Sequence, residues 1–154
     1  MTKYRFSEGA AIVFGGSGGL GTGIVNLLAE SGSDVAFSYH KNKESAEKNL
    51  SGIEKIGRSG LIAGVDLLDM KNVQNFVNDA KEKFGRIHSV IFATGPFLHI
   101  MPVLEAKPED VYKTIDTDIK GFYHVLRAVV PVLKEGGGGS ITALTTAAIH
   151  KYIS

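Results

Sequence analysis

The chain has 154 residues, 44% of them hydrophobic, and a formal net charge of +1. This length suits a single domain with one core. The small net charge gives no electrostatic reason to expect a nucleic acid or a membrane as a partner. The sequence contains no cysteine, which excludes a disulfide framework or a thiolate site, and its five scattered histidines lack the spacing of a metal site. No segment resembles a signal peptide or reaches transmembrane length, so the sequence predicts a cytoplasmic protein.

The first informative stretch is a short apolar run, Ala10–Phe14, followed by a segment with glycine at positions 15, 16, 18, 19, 21 and 23. The apolar run predicts a strand. The residues after it predict an amphipathic helix with Leu20, Ile24, Leu27 and Leu28 on one face. A strand, a glycine-rich turn and a helix in this order form the context in which a glycine motif indicates phosphate binding.

Two glycine spacings fit this segment. Gly16, Gly18 and Gly21 match G-x-G-x-x-G, whereas Gly15, Gly19 and Gly21 match G-x-x-x-G-x-G. In either register, free N–H groups around Ser17 and Leu20 would face a diphosphate at the positive end of the helix. The alternative interpretation is a tight turn that merely packs the helix onto the strand.

The rest of the chain repeats the alternation of strand and helix. The first helix should end near Ser31 with Gly32 as its cap, and Gly57 and Gly85 should close the next two helices. Asp69 is the expected N-cap of the third helix. Further strands are predicted at residues 34–39, 61–65, 89–93 and 140–144. The apolar helix positions are Ala46, Leu50 and Ile53 in the second helix and Val73, Phe76, Val77, Ala80 and Phe84 in the third.

A long helix is predicted from about Glu109, and Pro131 should kink or close it. Its apolar positions at helical spacing are Ile115, Ile119, Phe122, Leu126, Val129 and Leu133. This alternation predicts a parallel α/β sheet with helices on both faces. Ligands of such sheets bind beyond the carboxyl ends of the strands, where the loops of this chain converge.

Several segments in the correct order resemble the short-chain dehydrogenase/reductase family. Gly15-x-x-x-Gly19-x-Gly21 resembles its cofactor loop, and the sequence Asp-Leu-Leu-Asp at residues 66–69 resembles its Asp-x-x-Asp. Residues 92–95, Phe-Ala-Thr-Gly, stand at the family's Asn-Asn-Ala-Gly and keep only the glycine. Asp118 stands at the asparagine of Asn-x-x-Gly, and Thr146 aligns with the catalytic serine. The segment at residues 39–48 is most similar to 3-oxoacyl-carrier-protein reductases.

The resemblance implies a Rossmann-type, doubly wound, three-layer α/β/α fold with strand order 3-2-1-4-5, forming one dinucleotide-binding domain over residues 1–154. It implies hydride transfer between a nicotinamide and a carbonyl or alcohol carbon, with a small carbonyl or acyl-thioester substrate. It also implies a homodimer or homotetramer through the long helix. The expected cofactor-binding residues are Gly15, Ser17, Gly18, Gly19, Leu20, Gly21, Tyr39, His40, Lys41, Asp66, Leu67, Ala93, Thr94 and Gly95.

The end of the second strand decides which cofactor is expected. An acidic residue there would bind the ribose 2′-hydroxyl and repel a 2′-phosphate. Positions 38–40 are instead Ser38, Tyr39 and His40, with Lys41 and Lys43 close behind. The sequence therefore favours NADP over NAD, unless the two lysines are simply solvated loop charges.

The resemblance also implies how the residues would act in catalysis. A Tyr hydroxyl donates the proton, a Lys lowers the pKa of that Tyr, and a hydroxyl at Thr146 polarises the carbonyl. The Tyr-x-x-x-Lys pair is expected beyond Ser154, because Tyr152 comes too early, so the chain is expected to be an N-terminal portion. Asp118 would either maintain a polar relay or mark altered chemistry, unless it merely bonds its local backbone.

Two other functions remain open. One is a nucleotide-binding or regulatory domain without catalysis, which the altered Asn-Asn-Ala-Gly segment and Asp118 favour. The other is a flavodoxin-like domain that binds FMN, although the phosphate loop of that fold is usually rich in Ser and Thr.

Overall fold

The computed structural model describes residue 6, residues 8–95, residue 102 and residues 104–145. In this part of the chain, five parallel strands form one sheet in the order β3-β2-β1-β4-β5. The strands are β1 (Ala10–Phe14), β2 (Asp34–Tyr39), β3 (Gly60–Gly64), β4 (Ile87–Phe92) and β5 (Ser140–Ala143). The predicted α/β fold and its strand order are confirmed.

The helices connect these strands. They are α1 (Gly19–Glu30), α2 (Lys43–Lys55), α3 (Met70–Phe84), α4 (Pro108–Ile115) and α5 (Gly121–Glu135). The side chain of Asp69 accepts hydrogen bonds from the backbone N–H groups of Lys71 and Asn72, which confirms the predicted cap of α3. No helix in the described ranges has both the length and the apolar character to cross a membrane.

The sheet separates two hydrophobic clusters because successive side chains of a strand point to opposite faces. Ala10, Ile12 and Phe14 of β1 pack in the cluster that includes α3 and α5. Ala11 and Val13 pack in the cluster that includes α1 and α2. Burial on both sides explains why the central strands are continuous apolar runs, as parallel strands require.

The buried face of α1 differs from the predicted one. Leu20 and Leu27 are 75% and 64% exposed. The buried positions of the helix are Gly21, Val25 and Ala29, and Ile24 and Leu28 pack at the edge of the cluster. The prediction was wrong for Leu20 and Leu27, because it weighted large apolar side chains, whereas the close approach of α1 to β1 selects small ones. A Cβ atom at position 21 would overlap the carbonyl oxygen of Gly15.

The long helix is continuous but contains one irregular turn. Residues Asp116–Lys120 form a π-helix between α4 and α5. A π turn holds extra residues, so a 3.6-residue periodicity does not continue across it. Ile115 and Ile119 are accordingly exposed rather than buried. Pro131 lies within α5 and does not end it, because the helix continues to Glu135.

Candidate functional site

Backbone hydrogen bonds join the loops at the carboxyl ends of the strands. The N–H of Gly16 donates to the carbonyl of Ser38 at 2.9 Å, which links the turn after β1 to the end of β2. The N–H of Ala93 donates to the carbonyl of Phe14 at 2.9 Å and links the ends of β4 and β1. The segments that the sequence singled out after β1, β2 and β4 therefore meet at one edge of the sheet.

The glycine loop, residues 15–18, requires glycine at some positions and leaves space at others. Gly15 has a φ of +86°, and a Cβ there would lie 2.8 Å from Cγ2 of Thr94. A Cβ at Gly16 would lie 2.5 Å from Cβ of Phe37, and one at Gly21 would overlap Gly15. A Cβ at Gly19, in contrast, would meet no atom within 4 Å. Both registers thus include required glycines, and the turn is open on the side of α1.

The N-terminus of α1 presents unpaired donors to this open space. The N–H of Gly18 is bound to the carbonyl of Gly15 at 3.2 Å. Among the described residues, the N–H groups of Ser17, Gly19 and Leu20 have no acceptor, and no side chain caps the helix. Free N–H groups at the positive end of a helix attract an anion.

The end of β2 carries no acidic side chain. The buried Ser38 accepts a hydrogen bond from the N–H of Gly15 through Oγ at 3.2 Å. His40 and Lys41 are exposed. Lys43 forms an ion pair with Glu47 at 3.4 Å, whereas Lys41 has no ion pair within the described part of the chain. An exposed cation without an ion pair in the described part of the chain therefore lies where the sequence analysis expects the 2′ substituent of a ribose.

The loop after β3 is held by its own polar groups. Oδ1 of the exposed Asp66 accepts a hydrogen bond from the N–H of Leu68 at 2.9 Å. The side chain of Leu67 is buried in the core, and its carbonyl accepts a hydrogen bond from Nδ1 of His124 at 2.8 Å. The exposed Asp66 can still offer a carboxylate oxygen to a ligand, whereas Leu67 could offer a ligand little beyond its N–H.

Two buried oxygen atoms near this edge have no hydrogen-bond partner among the residues that the structure describes. They are Oγ1 of Thr94, after β4, and Oδ1 of Asp118, in the π turn. Desolvation raises the pKa of Asp118 above its usual 3.8. No hydrogen bond within the described residues satisfies this oxygen, so Asp118 is not simply bonded to its local backbone. Buried polar atoms without partners are rare and need an explanation, such as a ligand or a water. Thr146, the predicted catalytic hydroxyl, lies outside the described residues.

Sequence reasoning missed the residues that hold the glycine loop from behind. Asn49 of α2 donates through Nδ2 to the carbonyl of Gly16 and to Oγ1 of Thr22. Ser45 donates through Oγ to the carbonyl of Ser17. The sequence could have indicated a role for Asn49, because it is a polar residue on the apolar face of α2 that Ala46 and Ile53 define.

Together, the loop, the free amides and the unpartnered oxygens fit an extended ligand with an anionic centre. The site has donors around an open turn and a nearby cation. The end of β2 carries no carboxylate that would repel an anion. A dinucleotide, with a diphosphate between two nucleosides, matches this order of groups along the sheet edge.

Comparison with known proteins agrees with this geometry. Residues 9–153 match the family described as short chain dehydrogenase. An NADP-dependent mannitol dehydrogenase of Hypocrea jecorina is 31% identical over 142 residues, 90% of this chain and 53% of that protein. An L-rhamnose 1-dehydrogenase (NAD(P)(+)) of Sphingomonas sp. (strain SKA58) is 29% identical over 146 residues, 92% of this chain and 56% of that protein.

A solved structure supports the same family assignment. The short chain dehydrogenase from Burkholderia cenocepacia J2315 in complex with NADP superposes with a TM-score of 0.88 and 28% identity, over 98% of this chain and 60% of that one. This chain spans about half the length of the curated relatives it matches. The two relatives named above are sugar or polyol dehydrogenases by name, so they do not support a closer likeness to 3-oxoacyl-carrier-protein reductases.

Proposed function

Because this chain belongs to the short-chain dehydrogenase/reductase family, we propose that it binds NADP and serves an oxidoreductase that acts on a carbonyl or alcohol substrate. The observation that carries this proposal is the open turn between β1 and α1. There the N–H groups of Ser17, Gly19 and Leu20 point to no acceptor in the described residues. A diphosphate supplies the acceptors that these amides lack.

The preference for NADP over NAD rests on the end of β2. No carboxylate at residues 38–41 would repel a 2′-phosphate, and the exposed Lys41 is not engaged in an ion pair within the described chain. Titration calorimetry of both cofactors tests the preference. We expect the Kd for NADP to be at least about tenfold lower, the gain from one charge-assisted contact. A lower Kd for NAD would reverse the preference.

In the proposed reaction, the bound nicotinamide supplies or accepts the hydride, and the protein positions the reacting groups. Asp66 would accept a hydrogen bond from the adenine amine, and Ala93, Thr94 and Gly95 would line the path of the cofactor beside β4. Thr146 would polarise the substrate carbonyl, and Asp118 would take part in a proton relay. The Tyr of the family's Tyr-x-x-x-Lys pair would supply the proton.

The substrate is proposed as a carbonyl compound, with 3-oxoacyl thioesters as one class to test. Support for the thioester comes from the resemblance of residues 39–48 to the same segment of 3-oxoacyl-carrier-protein reductases. The decisive assay follows the oxidation of NADPH by the intact gene product with a panel of ketones, sugars and 3-oxoacyl thioesters. We expect turnover with at least one carbonyl class, and no turnover with any of them would contradict the enzymatic role.

A second candidate is a non-catalytic NAD(P)-binding or regulatory domain. Ala93 and Thr94 at the family's Asn-Asn-Ala-Gly position, and Asp118 in place of asparagine, favour this candidate. The two functions separate in the same assay. A regulatory domain would bind the cofactor with the expected affinity but would leave NADPH unconsumed with every substrate.

We also propose that the protein assembles as a homodimer or homotetramer through the long helix. Tyr112, Ile115, Ile119 and Tyr123 are spread along this helix, before, within and after the π turn. All four are at least 50% exposed. Exposed apolar and aromatic side chains along the length of this helix support a second copy of the chain as its partner.

A further inference from the structure

The side chain of Asn49 lies beneath the glycine loop and is almost completely buried. It is 8% exposed, on the face of α2 that packs against the sheet. Its Nδ2 atom lies 3.1 Å from the carbonyl oxygen of Gly16 and 2.9 Å from Oγ1 of Thr22. An amide nitrogen has two hydrogens to donate, and both are used. One side chain thus links α2, the loop and α1.

These bonds fix the orientation of a peptide plane. In a planar trans peptide, the carbonyl and the N–H point in opposite directions, and the described chain has no cis bond. Because Asn49 holds the carbonyl of Gly16 toward α2, the N–H of Ser17 in the same peptide must point away from α2. That N–H is one of the donors without an acceptor among the described residues.

A second bond from the same helix acts on the next peptide. Oγ of Ser45 donates to the carbonyl of Ser17 at 3.2 Å. The N–H of this peptide belongs to Gly18, which closes the turn by donating to Gly15. Two successive carbonyls of the loop are therefore held by α2. A glycine-rich segment can adopt many backbone conformations, so the bonds from Asn49 and Ser45 select one conformation of the loop.

We propose that Asn49 is a positioning residue for the cofactor diphosphate, acting through the peptide that joins Gly16 and Ser17. This inference rests on the proposed function, because it assumes that the loop binds a diphosphate. The helix that carries Asn49 also begins two residues after Lys41. It therefore connects the diphosphate subsite with the expected 2′-phosphate subsite and keeps them in a fixed relation.

The test compares two probes on the intact gene product. ADP-ribose contains the diphosphate, and adenosine contains the same nucleoside without phosphate. The variant Asn49→Leu keeps the approximate size of the side chain but removes both donors. We expect its Kd for ADP-ribose to rise about tenfold, as for the loss of a buried hydrogen bond. Its affinity for adenosine should stay within about twofold.

Three further variants separate positioning from general destabilisation. Ile53→Val removes one methylene from the same buried face of α2 and touches no loop carbonyl. We expect it to lower thermal stability without changing the Kd for ADP-ribose. Thr22→Val removes the hydroxyl that accepts from Asn49 at 2.9 Å and itself donates to the carbonyl of Gly16 at 3.5 Å. It should weaken ADP-ribose binding, whereas Thr22→Ser keeps the hydroxyl and should bind like the wild type. If Asn49→Leu does not fold, this Thr22 pair decides the question.

The outcomes distinguish this inference from the proposed function. If the wild-type protein fails to bind ADP-ribose, the proposed function is wrong. If the wild type binds but Asn49→Leu or Thr22→Val binds equally well, the positioning role of Asn49 is wrong. Equal losses of affinity for ADP-ribose and adenosine would also overturn it, because they would indicate a general structural effect.

Discussion

Asp118 is the residue at which the chain departs most clearly from its family at a position expected to be catalytic. It lies in a π turn, a distortion found frequently at functional sites. Its Oδ1 atom is buried without a partner among the described residues, and burial raises the pKa of the carboxyl group. The folded protein thus holds the proton on this carboxyl more tightly than the unfolded chain does.

We expect Asp118→Asn to leave turnover of the intact gene product unchanged or improved, because an amide can take the same place in a polar relay. The variant should also melt at a higher temperature near pH 7. When folding raises the pKa of a carboxyl group, the free energy of unfolding of the protein falls as the pH rises through that pKa. An amide does not titrate, so the variant avoids this loss. Steady-state kinetics and thermal unfolding check both effects. Complete loss of activity would contradict the relay.

His88 illustrates a buried residue with a structural role at the opposite edge of the sheet. It is 5% exposed, its Nε2 lies 3.1 Å from Oγ of Ser33, and its Nδ1 lies 2.9 Å from Oγ of Ser89. The pKa of His88 is lowered from 6.5, first by burial and second by the positive charge of Arg86. The folded protein therefore favours the neutral imidazole.

This lowered pKa predicts an acid-dependent loss of stability. Well above pH 6.5 the imidazole is neutral in both the folded and the unfolded state, so His88 then costs the folded protein no stability. As the pH falls, the unfolded chain takes up the proton first, and the free energy of unfolding decreases until the folded pKa is passed. Urea unfolding between about pH 5 and 8 measures the effect. His88→Gln should remove this pH dependence, and His40→Gln, at an exposed histidine, should retain it.

At the scale of elements, the contact between α1 and β1 decides whether the glycine loop forms. Gly21 has no space for a side chain, whereas a Cβ at Gly23, in the same helix, would meet no atom within 4 Å. These two glycines provide a matched pair of substitutions to the same residue.

We expect Gly21→Ala to lower the free energy of unfolding by about 1–3 kcal/mol, as overpacking does, and to weaken dinucleotide binding. Gly23→Ala should raise the free energy of unfolding by about 0.5–1 kcal/mol, because alanine has the higher helix propensity. Chemical denaturation and calorimetric titration measure the two quantities. If both variants changed the free energy of unfolding and the dinucleotide Kd in the same way, the inferred close contact between α1 and the loop would be contradicted.

The elements also show what the sequence could and could not predict. Strands such as Ala10–Phe14 and caps such as Asp69 were predictable, because their signals lie within a few residues of the chain. The buried face of α1 was not, since it depends on how closely the helix approaches β1. The π turn at Asp116–Lys120 has no local sequence signal. The bonds of Asn49 join residues 33 and 27 positions apart, and only the tertiary fold brings them together.

At the scale of the whole molecule, two apolar surfaces of similar exposure lie on different helices. Ile115 of α4 is 50% exposed and is one of the residues of the long helix that we propose as the oligomer interface, whereas Leu27 of α1 is 64% exposed and lies outside that helix. A charge buried in an interface without a partner is costly, but a charge on a free surface is not.

We therefore expect Ile115→Glu to dissociate the oligomer and Leu27→Glu to leave it intact. Sedimentation velocity of the intact gene product measures the mass of each species. A monomeric wild type would contradict the proposed assembly, and so would an Ile115→Glu variant that sediments like the wild type.

The proposed function requires a diphosphate bound by the backbone at the start of α1. The most direct measurement is the change in backbone amide NMR shifts of the intact gene product when ADP-ribose is added. Formation of hydrogen bonds by free N–H groups should shift the resonances of Ser17, Gly19 and Leu20 more than those of other residues. Saturable binding that leaves these three resonances unchanged, or no binding at all, would contradict the proposed function.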